Sequence, residues 1–310
     1  MAHFISIPEN PVPVNAEPFE FDAPGGARIR AGFFPVENAR GTVVLMTGWS
    51  EFIEKYFETI KDLHHRGFNV AMMDWRGQGL SDRNQVRETN WIGYFRTLTK
   101  DLEFFTDTQV KPRFPGPYIL MTHSMGGMPA LRLLASGYDG FERAVLCAPM
   151  TRLFPGVQNS ITNIAARIAS KLGYARKPVP RDKDYADMFE GNIYTSDETR
   201  HTMFRNLRMA EPKAASESPT FGWVKDAMKS SAEIHADTAL KDIEIPVLII
   251  TAEREQQIDG SDHFEIAQKT DQISVTKVPD ALHEILMERD ELRALYWKAF
   301  DEFVAPVFRP

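Results

Sequence analysis

The stretch Tyr118-Ile119-Leu120-Met121-Thr122-His123-Ser124-Met125-Gly126-Gly127 decides the fold. Tyr118 to Met121 is an apolar run of strand length, and Met128 to Ala135 has a helix-like composition. The serine lies between them, with Thr122 two positions before it and Gly126 two positions after. Strand, sharp turn, serine and helix in that order make a nucleophile elbow, usually written G-x-S-x-G. An elbow serine sits in a strained backbone conformation, so the residues two before and two after must be small. Gly126 meets that need fully and Thr122 less well. By itself the stretch is either an elbow or a plain glycine-containing turn, and its surroundings decide.

Upstream, Phe19 to Val36 reads as a hairpin turning at Pro24-Gly25-Gly26, and Thr42 to Met46 reads as a strand buried on both faces. A helical pattern from Phe52 to Arg66 ends at Gly67, and Asn69 to Met73 is the next strand. The glycine-rich turn Asp74-Trp75-Arg76-Gly77-Gln78-Gly79-Leu80-Ser81 and a helix over Trp91 to Val110 lead to the elbow. A strand at Ala144 to Cys147 follows it. Apolar strands alternating with helices predict a mainly parallel sheet covered on both faces, an α/β fold. From Thr151 to about Leu240 the alternation stops, and helical segments near 157–173, 183–190, 196–210 and 220–232 replace it. It resumes with a strand from Pro246 to Ile250, a helix near 261–270, a strand from Ile273 to Val278 and a last helix over about 288–304. The expected organisation is a core of residues 1–150 and 241–310 with a helical cap, 151–240, inserted between two strands. The proline-rich residues 1–18 read as an extended arm.

The 310 residues are long enough for one large domain with an insertion, and 43% hydrophobic with 25% charged residues is ordinary for a globular chain. A net charge of -7 argues against a nucleic-acid partner. The single cysteine, Cys147, excludes an internal disulfide and a cysteine-based metal site. The N-terminus lacks the pattern of a secretory signal, and no apolar run approaches the roughly 18 residues that span a bilayer. A cytoplasmic protein, soluble or bound to the inner face of the membrane, is therefore expected.

Acyl transfer by a serine needs a base to take its proton, an acid to orient the base, and donors for the oxyanion. After an elbow the partners come in the order Ser, acid, His. His283 follows the last predicted strand and is the expected base. His64 and His65 lie on a helix, His201 and His235 in the insertion, His3 at the terminus and His263 on a later helix. His123 is beside the serine but points away from where a base must stand. The acid belongs in the loop after the strand ending at Thr251, where Glu253, Glu255 and Asp259 compete. One oxyanion donor is the N–H of Met125, and the other is expected from Trp49 in Thr47-Gly48-Trp49-Ser50-Glu51. No cofactor and no metal are expected.

Assembled in this way, the chain resembles the lysophospholipase and monoacylglycerol lipase group of α/β-hydrolases, and most of all the lysophospholipase L2 type. Thr47 to Glu51 with Tyr56 is similar to that family's HG-x-x-E loop and following tyrosine, with Thr47 in place of the histidine. Asp74 to Ser81 resembles its D-x-R-G-x-G-x-S, and His123 to Gly127 its H-S-M-G-G. Ala148-Pro149-Met150 opens the cap in the same way. Tyr194 to Asp197 and Pro219 to Trp223 resemble cap signatures of the subgroup, so the likeness runs from about residue 20 to residue 305. It implies an α/β-hydrolase with a cap, Ser124 as nucleophile, His283 as base, and Trp49 and Met125 at the oxyanion. The family's acid position falls on Glu255, where many relatives have aspartate, with Asp259 as the alternative acid. The implied activity is hydrolysis of a lysophospholipid acyl ester through an acyl-enzyme. Monoacylglycerols or simple carboxylic esters are the rival substrates, and a non-catalytic ligand-binding scaffold is the rival of another class.

Between Thr151 and Arg181 there are six basic residues, Arg152, Arg167, Lys171, Arg176, Lys177 and Arg181, and no Asp or Glu. Ile161, Ile164, Ala165, Ile168 and Leu172 share one face of the helix predicted there. That face either packs on the core or meets lipid, with the basic residues near phosphates. Met188, Phe189, Met203, Phe204, Phe221, Trp223 and Met228 suit either an acyl-chain pocket or the inside of the cap.

Overall fold

The computed structural model describes residues 2–83, 93–179, 188–215, 218–236 and 238–308. The expected helix at 183–190 lies largely outside them, as do Trp91 and Arg181.

The chain folds around one eight-stranded sheet in the order β1-β2-β4-β3-β5-β6-β7-β8. The strands are β1 (Glu17–Ala23), β2 (Ala27–Phe34), β3 (Gly41–Met46), β4 (Phe68–Met73), β5 (Tyr118–His123), β6 (Arg143–Cys147), β7 (Val247–Ala252) and β8 (Ile273–Val278). β1 and β2 form the predicted hairpin and pair antiparallel, as do β2 and β4; every later pairing is parallel.

Successive residues of a strand point to opposite faces, so a strand covered on both sides reads as a continuous apolar run. Val44 and Met46 of β3, Leu120 of β5 and Leu146 of β6 face one layer, which includes the helices Tyr94–Phe105, Gly127–Leu134 and Phe221–His235. Val43, Leu45, Ile119, Met121 and Val145 face the other, with the helices Phe57–His65 and Asp290–Val304. β8 closes one side of the sheet as an edge strand, and its Ser274, Thr276 and Lys277 are not buried. Polar and charged residues on an edge discourage pairing with another chain.

Several element bounds differ from the sequence reading by a few residues, and two helices show it most plainly. The helix expected from Phe52 starts as a 3-10 turn, Ile53–Tyr56, and becomes α-helical at Phe57. The helix expected through Val110 is α-helical over Tyr94–Phe105 and widens to a π turn at Thr106–Val110. Between β6 and β7 the described elements are helical, at Gly156–Ala169, Glu198–Ala210 and Phe221–His235. A single bridge joins Pro178 to Thr220.

Parallel pairing brings the C-terminal ends of β3, β5, β6, β7 and β8 to one edge of the sheet. The loops that follow them carry Gly48, Ser124, Glu255 and His283, so residues far apart in sequence meet there.

Candidate active site

β5 ends at His123, and Ser124 opens the 3-10 turn Ser124–Gly126 that runs into the helix Gly127–Leu134. Ser124 has φ +48°, a left-handed conformation that is costly for a residue with a β-carbon and lifts its side chain out of the turn. A Cβ on Gly126 would stand 2.6 Å from the Thr47 carbonyl, so this position has no room for a side chain. The same Cβ would be 3.5 Å from Thr122 Cβ, an ordinary contact. The tight approach is thus between Gly126 and the end of β3, which is why threonine fits where the motif usually has glycine.

His283 lies in the loop after β8. Its Nε2 is 2.9 Å from Ser124 Oγ, and its Nδ1 is 2.7 Å from Glu255 Oε2. Glu255 Oε1 accepts from the Gln257 N–H at 2.8 Å, which fixes the carboxylate plane. A Cβ on Gly260 would come within 3.1 Å of Glu255 Cβ, so this glycine leaves space for a side chain one methylene longer than aspartate. Burial alone would raise the Glu255 carboxyl, but the charge and hydrogen bond of His283 bring it below its usual range. Burial alone would lower the His283 imidazole, and Glu255 more than reverses that, leaving it above its usual 6.5.

The other two carboxylates of that loop are engaged elsewhere. Asp259 accepts from Ser261 Oγ at 2.5 Å and faces Arg152 at 3.3 Å. Glu253 is exposed and accepts from the Asp280 N–H. Ser124 is 9% exposed and His283 4%, so proton exchange between them is shielded from bulk water.

The turn after β3 lies against the elbow: a Cβ on Gly48 would be 3.0 Å from Ser124 Cβ. Trp49 follows it, and Met125 sits at the start of the elbow helix, where N–H groups have no helical acceptor and the helix dipole favours negative charge. The Trp49 ring packs on Trp223 at 4.7 Å, which itself packs on Phe95 at 5.6 Å.

The glycine-rich turn is a brace for these loops. Asp74 accepts from Arg30 Nε, Leu80 N and Ile53 N, and Trp75 Nε1 donates to the Thr47 carbonyl at 2.8 Å. Gln78 accepts from the Ser50 N–H at 2.6 Å and reaches Met125 Sδ at 3.4 Å, touching both expected oxyanion segments. Glu288, fully buried, accepts from the Leu282 N–H at 2.9 Å and the Ser196 N–H at 3.1 Å, joining the base loop to the segment between β6 and β7. Sequence reasoning gave no role to Gln78, Glu288 or Glu51. Only the glycine-rich turn and the G-x-x-E spacing marked the first and last, through resemblance.

The apolar side chains that suit either an acyl-chain pocket or the inside of the cap are divided. Met203 and Phe204 pack with Ile5 and Phe52, Trp223 and Met228 belong to the main core, and Met188 is exposed. The helix Gly156–Ala169 and the π turn Ser170–Tyr174 that extends it do not turn their apolar face inward: Ile161, Ile164, Ile168 and Leu172 are 62%, 59%, 54% and 68% exposed. Arg167, Lys171 and Lys177 are exposed nearby, whereas Arg152 is paired with Asp259, Asp262 and Glu265. Among the described residues no group of three His, Cys, Asp or Glu side chains is placed to hold a metal, and no helix is long and apolar enough to cross a membrane.

A doubly covered, mostly parallel sheet with a serine, a histidine and a carboxylate in line at its C-terminal edge defines a serine hydrolase of the α/β-hydrolase class. Comparison with known proteins gives the family. The model of the family described as Serine aminopeptidase, S33 (Hydrolase_4) matches residues 37–290, and the chain belongs to that family. It is 28% identical over 302 residues to lysophospholipase L2 of Escherichia coli (strain K12), covering 92% of this chain and 86% of the relative. It is 25% identical over 272 residues to a probable lysophospholipase L2 of Haemophilus influenzae, covering 87% and 85%. A soluble variant of monoglyceride lipase from Saccharomyces cerevisiae, solved with a substrate analog, shares the fold with a TM-score of 0.74. It is 20% identical, covering 94% of this chain and 96% of that one.

Proposed function

We propose that this serine hydrolase cleaves the acyl ester of lysophospholipids, with Ser124 as nucleophile, His283 as general base and acid, and Glu255 as the orienting acid. The observation that carries the mechanism is the Ser124–His283–Glu255 line, with contacts of 2.9 and 2.7 Å. Ser124 Oγ attacks the ester carbonyl carbon as its proton passes to His283 Nε2. The backbone N–H groups of Met125 and Trp49 receive the oxyanion, a contribution typically worth about 3 kcal/mol per donor. Glu255 holds Nδ1–H and stabilises the imidazolium. The tetrahedral centre collapses, the C–O bond breaks, and the leaving glycerol oxygen takes the proton from His283. Water then gives a proton to His283 and attacks the acyl-enzyme, and the fatty acid leaves as Ser124 recovers its proton.

The substrate class rests on the two relatives named lysophospholipase L2, aligned over most of their length. Residues 151–240 form the cap on a core of 1–150 and 241–310. The exposed apolar stripe on the helix Gly156–Ala169 and its extension, with Arg167, Lys171 and Lys177 beside it, meets an anionic membrane surface where such substrates reside.

The experiment is turnover of a lysophospholipid, a matched monoacylglycerol and a p-nitrophenyl ester by the parent and by Ser124→Ala. All three rates are expected to fall by at least about 10⁴-fold in the variant, with the lysophospholipid the best substrate of the parent. Undiminished p-nitrophenyl ester turnover by Ser124→Ala contradicts the nucleophile, and preference for the monoacylglycerol contradicts the head group. His283 must be neutral to accept a proton and Glu255 holds it above 6.5, so the acid limb of kcat/KM is expected above that pH.

A further inference from the structure

Beneath the triad a single carboxylate touches the chain neighbours of two functional positions and, through a lysine, reaches that of a third. Glu51 Oε2 accepts from the Gly48 N–H and, at 2.6 Å, from the Tyr56 hydroxyl. Its Oε1 accepts from Lys55 Nζ at 2.8 Å and lies 2.9 Å from His123 Nδ1. Lys55 Nζ reaches on to Glu284 Oε1 at 2.7 Å. Gly48 precedes Trp49, His123 precedes Ser124, and Glu284 follows His283. One chain of ion pairs, Glu51–Lys55–Glu284, thus ties the oxyanion turn and the elbow to the base loop.

We propose that Glu51 is the positioning residue of this active site, holding the oxyanion turn directly and, through Lys55 and Glu284, the loop that carries His283. The proposal rests on the roles given above to Ser124, His283 and Trp49. Three features support it. First, Glu51 and Lys55 are deeply buried, 4% and 1% exposed, and a buried ion pair contributes little net stability compared with apolar side chains of the same shape. Charge is therefore an expensive choice for packing alone. Second, Glu51 uses both oxygens, and its acceptance from the Gly48 N–H pins the peptide next to Trp49 where a shift of a fraction of an ångström changes an oxyanion contact. Gln78 pins the other side of Trp49 through the Ser50 N–H at 2.6 Å. Third, the ionised states support one another. Burial alone would raise the Glu51 carboxyl, but His123 and Lys55 hold it well below its usual range. Burial alone would lower the Lys55 ammonium, but Glu284 and Glu51 keep it above its usual value.

The chain also sets the field at the base. His283 faces Glu255 from the loop after β7, Glu284 from its own loop and Glu51 from the turn after β3, with Lys55 as the opposing cation. The His123 ring stands 5.1 Å away, and His263, buried between Thr251 and the Pro149 carbonyl, is held below its usual range. Tyr56 and Cys147 are kept neutral by burial. Removing an anion from this set makes His283 easier to deprotonate, and removing the cation makes it harder.

The test is the pH dependence of p-nitrophenyl butyrate hydrolysis by Glu51→Gln, Glu284→Gln, Lys55→Met and Lys55→Arg. Folding is checked by near-UV circular dichroism, and active sites are counted with a fluorophosphonate. Glu51→Gln is expected to lower kcat by roughly a hundredfold, the effect of a small misplacement of reacting groups, with KM nearly unchanged. The acid limb of kcat/KM is expected to move down in Glu284→Gln, to move up in Lys55→Met, and to stay with the parent in Lys55→Arg. Should Glu51→Gln not fold, the opposite movements of the other two variants decide. Losses that follow the folded fraction alone, with every limb unmoved, overturn the proposal. Ser124→Ala separates it from the underlying reading. An inactive Ser124→Ala beside an undisturbed Glu51→Gln overturns only the role of Glu51, whereas an active Ser124→Ala overturns both.

Discussion

The helical segment between β6 and β7 has two ends of opposite character. At its first end the helix Gly156–Ala169 and its continuation through Tyr174 leave Ile161, Ile164, Ile168 and Leu172 more than half exposed. At its second end the chain is knitted into the sheet domain. Ser196 donates to buried Glu288, and Arg200 pairs with Glu58 at 2.7 Å. Asp226 accepts from the Gly93 and Phe95 N–H groups at 3.0 and 3.1 Å, capping the helix Tyr94–Phe105. Trp223 fills the space between Trp49 and Phe95. One inserted segment therefore does two jobs. Its second half is built into the sheet domain, with Trp223 against Trp49, and shares its stability, while its first half presents apolar surface that no described residue covers.

That contrast is open to direct attack, starting with the substitution of largest effect. Trp223→Ala is expected to cost about 3–5 kcal/mol of unfolding free energy, as for a large aromatic deleted from a packed site. The matched change at the other end, Leu172→Ala, is expected to stay within about 0.5 kcal/mol. Urea unfolding of the two variants measures this, and equal losses would erase the distinction. Next, Asp226→Ala removes a helix cap supplied from the inserted segment, and about 1 kcal/mol should be lost in the same assay. A neutral result would mean that the contact does not tie the two parts together. The smallest effect on stability, within about 0.5 kcal/mol, is expected for Ile164→Asp, because the side chain is 59% exposed. Its effect should instead appear in co-sedimentation with anionic phospholipid vesicles, as a loss of roughly tenfold or more from removed apolar contact and added like charge. Unchanged sedimentation beside unchanged stability would leave the exposed face without a membrane role.

The same contrast explains what was legible in the sequence. Strands buried on both faces, such as Val43-Val44-Leu45-Met46, announce themselves as apolar runs, and their alternation with helices fixed the class of fold. Ser124 and His283 were legible as candidates that the fold brings together, because an elbow has a local pattern and a base has a required place after the last strand. The acid was narrowed to Glu255 with Asp259 as the alternative, and no further, because Glu253, Glu255 and Asp259 lie within seven residues. The space at Gly260 and the Gln257 N–H, which orient Glu255, are properties of the folded loop. Glu51 showed only as a motif letter, since its partners His123 and, through Lys55, Glu284 come from distant parts of the chain. The stripe at Ile161 to Leu172 was legible as amphipathic, but periodicity says that one face is apolar and not what lies against it.

The most direct test of the catalytic assignment is covalent capture of the nucleophile. The parent enzyme is reacted with a fluorophosphonate across a pH series, and the adduct is located by peptide mass mapping. A single adduct on Ser124 is predicted, with a labelling rate that falls as pH drops through the acid limb of kcat/KM and is lost in His283→Ala. An adduct on another serine, or no adduct while ester hydrolysis continues, would contradict the assignment.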